Sequence, residues 1–141
     1  MLPTIIRPVD FTLLGPSSSI DFTAWLSYAP NNPFCVRARF PGMLTADGAD
    51  AVWEFSRDLL TEGLTRTSGE GDVQVSPVGR DRTAIRLRTA QARAELVGAT
   101  EPLRTFLQAS YALVPFGRER LDLDWDRLLA AGSAADPQEP Q

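Results

Sequence analysis

Strict alternation of apolar and polar residues recurs along much of this chain, and it limits the fold more than any other feature. The stretch "SIDFTAWLSYA" (19–29) places apolar residues at every second position. Side chains of a β-strand point to opposite faces in turn, so a period of two predicts a strand with one buried face. Residues 9–15 alternate similarly, and Gly15-Pro16-Ser17-Ser18 joins the two stretches, which predicts a hairpin. The predicted inward positions are Val9, Phe11, Leu13, Ile20, Phe22, Ala24, Leu26 and Tyr28.

Further strands and helices follow along the chain. Strands are predicted at 34–40, 51–56, 72–78, 84–90 and 92–99. In the first of these, Val36, Ala38 and Phe40 face inward while Arg37 and Arg39 face outward. Two strand-rich halves that each end in a helix predict an α+β fold, mostly antiparallel sheet with helices packed on it.

Three helices are predicted, at 57–64, at 100–114 and within 121–132. Gly63 is predicted to end the first, Thr100 to cap the second and Asp124 to cap the third, with Leu123 and Leu128 as a hydrophobic staple. The second helix carries one apolar face. Its members are Leu103, Phe106, Leu107, Tyr111 and Val114. A single core is expected to bury Trp53, Phe55, Leu59, Leu60, Phe106, Leu107 and Tyr111.

Composition removes most catalytic chemistry. The chain of 141 residues contains no His and no Lys, and its one Cys is Cys35. The commonest general base, Schiff-base chemistry and the lysine of a phosphate loop are therefore excluded, and no intrachain disulfide can form. No apolar run approaches the length of a membrane span, so direct membrane insertion is not expected. We expect no enzyme activity and no cofactor.

Three short patterns could be mistaken for ligand sites. Glu54, Asp58 and Glu62 are four residues apart and would share a helix face if the helix reached back to Glu54, but a solvated face or a protein contact suits them better than a metal. Gly69-Glu70-Gly71 feeds a strand instead of a helix N-terminus, which indicates a turn and not a phosphate loop. Asp122-x-Asp124-x-Asp126 lacks the glycine and glutamate of a calcium loop. No metal site is predicted.

Outward arginines on two strands allow a different function. Arg37, Arg39, Arg86 and Arg88 could follow phosphates, with an aromatic residue such as Trp25 for base stacking. Against this, the net charge is −4, whereas nucleic-acid-binding domains are usually basic. A solvated face, on which the arginine stems cover apolar surface, is the favoured interpretation of these residues.

A near full-length resemblance goes further than any single pattern. "WEFSRDLLTEGL" followed by "GEGDVQVSP" resembles the SsgA-like family of actinomycetes, and "NNPFCVRARF", "EPLRTFLQASYALVPFGRE" and "LDLDWDRLLA" resemble its flanking segments. The matching positions in the first block are Trp53, Phe55, Ser56, Arg57, Asp58, Leu59, Leu60, Gly63, Leu64, Gly69, Gly71, Asp72, Val73, Val75 and Pro77. Those in the strand before it are Pro33, Phe34, Val36, Ala38 and Phe40.

The resemblance implies a fold, an assembly and a function. It implies one SsgA-like domain at 1–131, followed by a flexible C-terminal tail at 132–141. The fold would be Whirly-like, with curved antiparallel sheets of about seven to eight strands in two halves, assembled as a trimer. The function would be regulation of sporulation-specific cell division and septum formation, as a cytoplasmic adaptor that helps localise FtsZ to the septum together with SsgA-family paralogues. Arg57, Asp58 and Glu62 are the candidate partner contacts, with an internal anchoring role for Arg57 or Asp58 as the other interpretation. Binding of single-stranded nucleic acid is the alternative function.

Overall fold

The computed structural model describes residues 3–45, 47–90 and 92–119. Within these residues, seven strands and two helices follow one another. The strands are β1 (Ile5–Leu14), β2 (Ser19–Tyr28), β3 (Cys35–Phe40), β4 (Ala51–Ser56), β5 (Val73–Val78), β6 (Arg82–Arg88) and β7 (Arg93–Ala99). The helices are α1 (Arg57–Gly63) and α2 (Thr100–Leu113), and a short 3-10 helix lies at Gly42–Leu44. The third predicted helix and the predicted tail lie outside the described residues.

All seven strands belong to one curled antiparallel sheet with the order β4-β3-β2-β1-β7-β6-β5. The predicted hairpin is confirmed, because β1 pairs with β2 along the whole of both strands, from Ile5–Tyr28 to Leu14–Ser19. The two predicted halves are β1–β4 and β5–β7. Among the described strands, these halves are hydrogen-bonded to each other through the short pairing of β1 with β7, from Phe11–Gly98 to Leu14–Glu95. The chain is therefore α+β, with one continuous sheet in place of two.

One face of the sheet carries the core, and the helices pack against it. Period-two alternation correctly predicts this face on β3, where Val36, Ala38 and Phe40 are buried and Arg37 and Arg39 are exposed. The predicted core is also confirmed. Phe55, Leu60, Phe106 and Leu107 are buried, and Trp53, Leu59 and Tyr111 are partly buried against them.

Two local predictions are wrong. Ile20 is 42% exposed, although it falls on the alternate positions of β2 that are predicted to face the core. The reason is that Ile20 lies beside the Gly15–Ser18 turn and outside the core cluster. Thr100 is the first residue of α2 instead of its cap, and Ala99 stands at the cap position with no side-chain hydrogen bond. The Thr100 hydroxyl is buried and hydrogen-bonded to that of Thr83 at 2.7 Å, so it ties α2 to β6.

Helix α1 lies against β5 through a glycine contact. A Cβ atom at Gly63 would stand 2.3 Å from the Cβ of Val75, so only glycine fits there without movement. Gly63 does end the helix as predicted, with Leu64 as the C-cap in a right-handed conformation. The reason differs from the one predicted, since Gly63 serves close packing and not the left-handed turn common at helix ends.

Candidate partner-binding surface

Helix α1 carries all three predicted partner-contact residues, and Ser56 fixes where it begins. Ser56 has extended backbone angles, and its hydroxyl accepts a hydrogen bond from the Leu59 N–H at 2.8 Å. This is the usual N-cap arrangement, which satisfies a backbone donor that the helix leaves free. Glu54 therefore lies in β4 and not on the helix. The predicted alignment of Glu54 with Asp58 and Glu62 does not form, and Glu54 instead pairs with Arg37 at 3.0 Å.

Arg57 is buried, so of the two roles considered for it the structure supports the internal anchor and not an exposed partner contact. Its side chain is 1% exposed, and it lies under the C-terminal end of α2. One guanidinium nitrogen donates to the carbonyl oxygens of Ser110 (3.1 Å) and Val114 (2.9 Å). The other donates to the Glu119 carboxylate at 2.8 Å. A cation here also complements the negative end of the α2 dipole.

Two aromatic rings hold the Arg57 guanidinium between them. Its central carbon lies 4.7 Å from the ring centre of Tyr28 and 4.0 Å from that of Tyr111. The Tyr28 hydroxyl donates to the Pro33 carbonyl oxygen at 2.9 Å, and burial raises the pKa of that hydroxyl. Stacking on aromatic faces is a use of arginine that lysine does not reproduce. Arg57 thus anchors α1 to β2 and α2.

Glu119 is held ionised by this network. The hydrogen bond from Arg57 is the largest cause that lowers the pKa of Glu119 below its ordinary value of 4.5. A carboxyl group whose pKa is lower in the folded protein stabilises the fold at pH values above its unfolded pKa. That stabilisation is lost as the pH falls through the folded pKa.

We therefore expect Glu119→Gln to make stability less sensitive to acid. Above about pH 5 the variant should be less stable than the wild type, because an ionised acceptor has been lost. Below the folded pKa of Glu119, the difference in free energy of unfolding between wild type and variant should narrow, since the wild-type carboxyl is then protonated. Urea unfolding at a series of pH values measures this, with the exposed Glu101→Gln as control. A difference that stays constant across the series would contradict the prediction.

Asp58 and Glu62 are both exposed, but only the Glu62 carboxylate is bonded to other side chains of the described residues. Within the described part of the chain, the Asp58 carboxylate makes no side-chain hydrogen bond or ion pair. Glu62 accepts from Arg66 at 2.5 Å and from the Ser68 hydroxyl at 2.8 Å, and the Arg66 bond is the largest cause that lowers the pKa of Glu62. Glu62 therefore orders the segment that leads to β5. A partner-contact role for either residue remains a prediction.

The four arginines considered for nucleic acid lie in two separate places. Arg37 and Arg39 are on β3, whereas Arg86 and Arg88 are on β6. Four strand spacings separate β3 from β6, about 19 Å. The carboxylates of Asp10 and Asp21 lie on β1 and β2 between them, each accepting a threonine hydroxyl at 2.7 Å. A strand of nucleic acid that joined the two arginine pairs would therefore cross a negatively charged region.

The remaining predicted absences concern metals, membranes and nucleophiles. Across residues 3–45, 47–90 and 92–119, no cluster of three or more Cys, Asp or Glu side chains could hold a metal ion. In the same ranges, no helix is both long enough and apolar enough to cross a bilayer. Burial raises the pKa of the Cys35 thiol, so the thiol form prevails at neutral pH and is a poor nucleophile.

Comparison with known proteins decides the family. The model of the family described as "Streptomyces sporulation and cell division protein, SsgA" matches residues 22–119. The chain belongs to the SsgA family. The matched region runs from β2 to Glu119, so it includes the α1 surface and the Arg57 network. The resemblance read from residues 53–77 is thereby confirmed.

Several curated relatives of this SsgA-family chain are named for cell division. The sporulation-specific cell division protein SsgB of Kineococcus radiotolerans is 42% identical over 124 residues, covering 84% of this chain and 72% of that protein. SsgB of Thermobifida fusca is 35% identical over 131 residues, covering 90% and 93%. SsgB of Streptomyces coelicolor is 35% identical over 121 residues, covering 84% and 86%. These names describe cell-division proteins and not enzymes.

Solved structures agree with the family assignment. The crystal structure of an SsgA-like sporulation-specific cell division protein from Thermobifida fusca superposes with a TM-score of 0.78 at 32% identity, covering 92% of this chain and 96% of that one. A second structure, described with SsgB mutations that correlate to longitudinal cell division during sporulation of Streptomyces coelicolor, gives a TM-score of 0.73 at 33% identity, covering 84% and 94%. The SsgA-family chain therefore shares the fold of these proteins.

Proposed function

We propose that this protein is a non-enzymatic regulator of sporulation-specific cell division and septum formation. It acts in the cytoplasm at the division septum, as an adaptor that helps localise FtsZ. Identity of 42% to an SsgB protein over most of the chain is the observation that carries this proposal. The absence of His and Lys from the sequence supports it too, because few catalytic side chains remain.

The proposed contact surface is the exposed side of α1, centred on Asp58. Asp58 is exposed and unpaired among the described residues, whereas the charges of Arg57 and Glu62 are already used within the fold. A rim charge of this kind acts mainly on the rate and the salt dependence of association. The partner is FtsZ or a paralogue of the SsgA family. We also propose the Whirly-like trimer that the family resemblance implies as the working assembly.

Charge reversal at Asp58 tests the proposal. We expect wild-type protein to co-sediment with FtsZ filaments or to be retained by a family paralogue, and Asp58→Arg to weaken that binding with a changed salt dependence. Glu101→Arg is the matched control, because Glu101 is likewise the second residue of a helix and exposed. Both substitutions place the same charge at a helix N-terminus, so their effects on the helix dipole are alike.

The same experiment separates the two candidate functions. Equal weakening by Asp58→Arg and Glu101→Arg would place the contact away from α1. Failure of the wild type to bind FtsZ and every paralogue, together with tight binding of a single-stranded oligonucleotide that falls steeply with salt, would support the nucleic-acid function instead.

A further inference from the structure

The hairpin of β6 and β7 holds two exposed arginines directly opposite each other. Arg88 on β6 is the ladder partner of Arg93 on β7. The Arg88 N–H donates to the Asp72 carbonyl oxygen at 2.9 Å, on the side of β5. Because the backbone groups of one residue in an antiparallel strand point to the same side, Arg88 and Arg93 form a non-hydrogen-bonded pair, whose side chains are closer together. Their Cβ atoms therefore lie about 4.5–5.5 Å apart.

The neighbouring ladder pair carries opposite charges instead. Arg86 and Glu95 are partners on the same face, and their side chains form an ion pair at 3.4 Å. The Arg86 guanidinium also donates to the Ser76 hydroxyl at 3.0 Å. Like charges directly opposite each other destabilise a sheet. Within the part of the chain that the structure describes, neither Arg88 nor Arg93 makes a side-chain hydrogen bond or an ion pair, so both guanidinium groups keep their donors free.

Both arginines line an open cavity of about 460 Å³. The loop that leads into β5 contributes Gly71 and Asp72 to the same cavity. A cavity of this size accommodates a small ligand or one side chain of a partner protein. The carboxylates of Glu70 and Asp72 also belong to it, yet neither forms an ion pair within the described ranges. No contact inside the fold therefore neutralises the two arginines, and the cavity can take an anion from outside.

We propose that Arg88 and Arg93 form a binding site for a phosphate monoester. Each guanidinium presents a fork of two parallel N–H donors to an oxyanion, so the pair offers two forks and two positive charges. A phosphate monoester has three acceptor oxygens and a charge of about −1.5 to −2 at pH 7. A carboxylate has two oxygens and one charge, which a single arginine already satisfies. The ligand is thus a phosphorylated side chain of a partner protein or a small phosphorylated metabolite.

A strand of nucleic acid matches this site less well. Each of its phosphodiester groups carries one charge and offers two free oxygens. The next arginine on the same face, Arg86, is already held by Glu95 and Ser76. A strand that followed β6 would therefore find one phosphate position at the end of the hairpin and no second one beside it.

The site is independent of the proposed division function. Among the residues that the structure describes, none of those lining the cavity belongs to α1. The site is also complete within one chain, so it requires no particular assembly. A failure of the partner contact at α1 would leave phosphate binding unchanged, and the reverse holds as well.

Isothermal titration calorimetry at constant ionic strength tests the site, with a capped peptide that carries one phosphoserine between two glycines. We expect the wild type to bind it, and Arg88→Gln and Arg93→Gln each to weaken binding about tenfold or more, because charge-assisted hydrogen bonds are lost. Arg80→Gln is the matched control. It removes the same charge from an exposed arginine beyond the opposite end of β6, about 20 Å away, where salt screens its effect.

Asp72→Asn gives a result that a purely structural role of the arginines would not produce. Asp72 lies opposite Arg88 on the β5 side, and its carboxylate repels a bound anion. Removing that charge should strengthen phosphopeptide binding about two- to fivefold, in line with the size of exposed charge interactions. Circular dichroism confirms that each variant is folded. Weaker binding by a folded Asp72→Asn would contradict the proposed site.

Further probes identify the source of the phosphate. Tighter binding of the phosphopeptide than of methyl phosphate would indicate a phosphorylated partner protein, and equal or weaker binding would indicate a small metabolite. Three results would overturn the proposal. They are no binding of either probe to the wild type at millimolar concentration, equal weakening by Arg80→Gln and Arg88→Gln, and equal competition for the site by oligothymidylate or by the same peptide with glutamate in place of phosphoserine.

Discussion

Replacing Arg57 with alanine should destabilise the protein more than any other single change considered. The substitution removes a buried cation and leaves the carbonyl oxygens of Ser110 and Val114 without their donor. It also leaves the Glu119 carboxylate without its cation. Breaking a buried pair in this way typically costs about 3–5 kcal/mol. Chemical denaturation with a linear extrapolation measures the loss.

Two further variants make the Arg57 result specific. Arg57→Lys keeps the charge but lacks the planar fork and the stacking surface, so most of the loss should persist. Arg66→Ala removes an arginine whose side chain is 73% exposed in its pair with Glu62, and it should change stability little. Equal effects of Arg57→Ala and Arg66→Ala would show that the buried network contributes nothing.

Leu60→Ala should give the second largest loss, about 2–5 kcal/mol, because it opens a cavity where α1 meets the core. Leu60 is fully buried, at 0% exposure. Leu14→Ala is the matched control, since Leu14 is 45% exposed and its truncation should change stability by no more than about 0.5 kcal/mol. The denaturation midpoints of the two variants, compared with that of the wild type, measure these two losses of stability. Similar losses for the two leucines would contradict the placement of α1 on the sheet.

The strands could be predicted from the sequence because their signal is local. Alternation along β2 and β3 follows directly from the geometry of a half-buried strand, and it identified Val36, Ala38 and Phe40 as buried. On these strands the alternation predicted the wrong burial only at Ile20, where the hairpin extends beyond the core. Joining all strands into one sheet was not predictable, because the β1–β7 pairing depends on residues far apart in the chain.

The candidate site was predictable in part for the same reason. Exposure of Asp58 follows from its place in a short amphipathic helix. The burial of Arg57 does not follow from the sequence. Arginine is rarely buried, and the position of Arg57 on a short helix alone predicts a solvent-exposed side chain. Its partners lie far from it in the sequence, with Tyr28 on β2 and with Ser110, Val114 and Glu119 at and just beyond the end of α2. No local pattern connects these positions, so only the folded structure reveals the network.

The short pairing of β1 with β7 has a consequence for how the chain folds. Pairing Leu13 with Leu96 closes a loop of roughly eighty residues, whereas the β1–β2 hairpin closes across a four-residue turn. Loop closure costs more entropy as the loop lengthens, and contacts between distant residues slow folding. We therefore expect the hairpin and the β5–β6–β7 meander to form first from local contacts, and the pairing of β1 with β7 to form later.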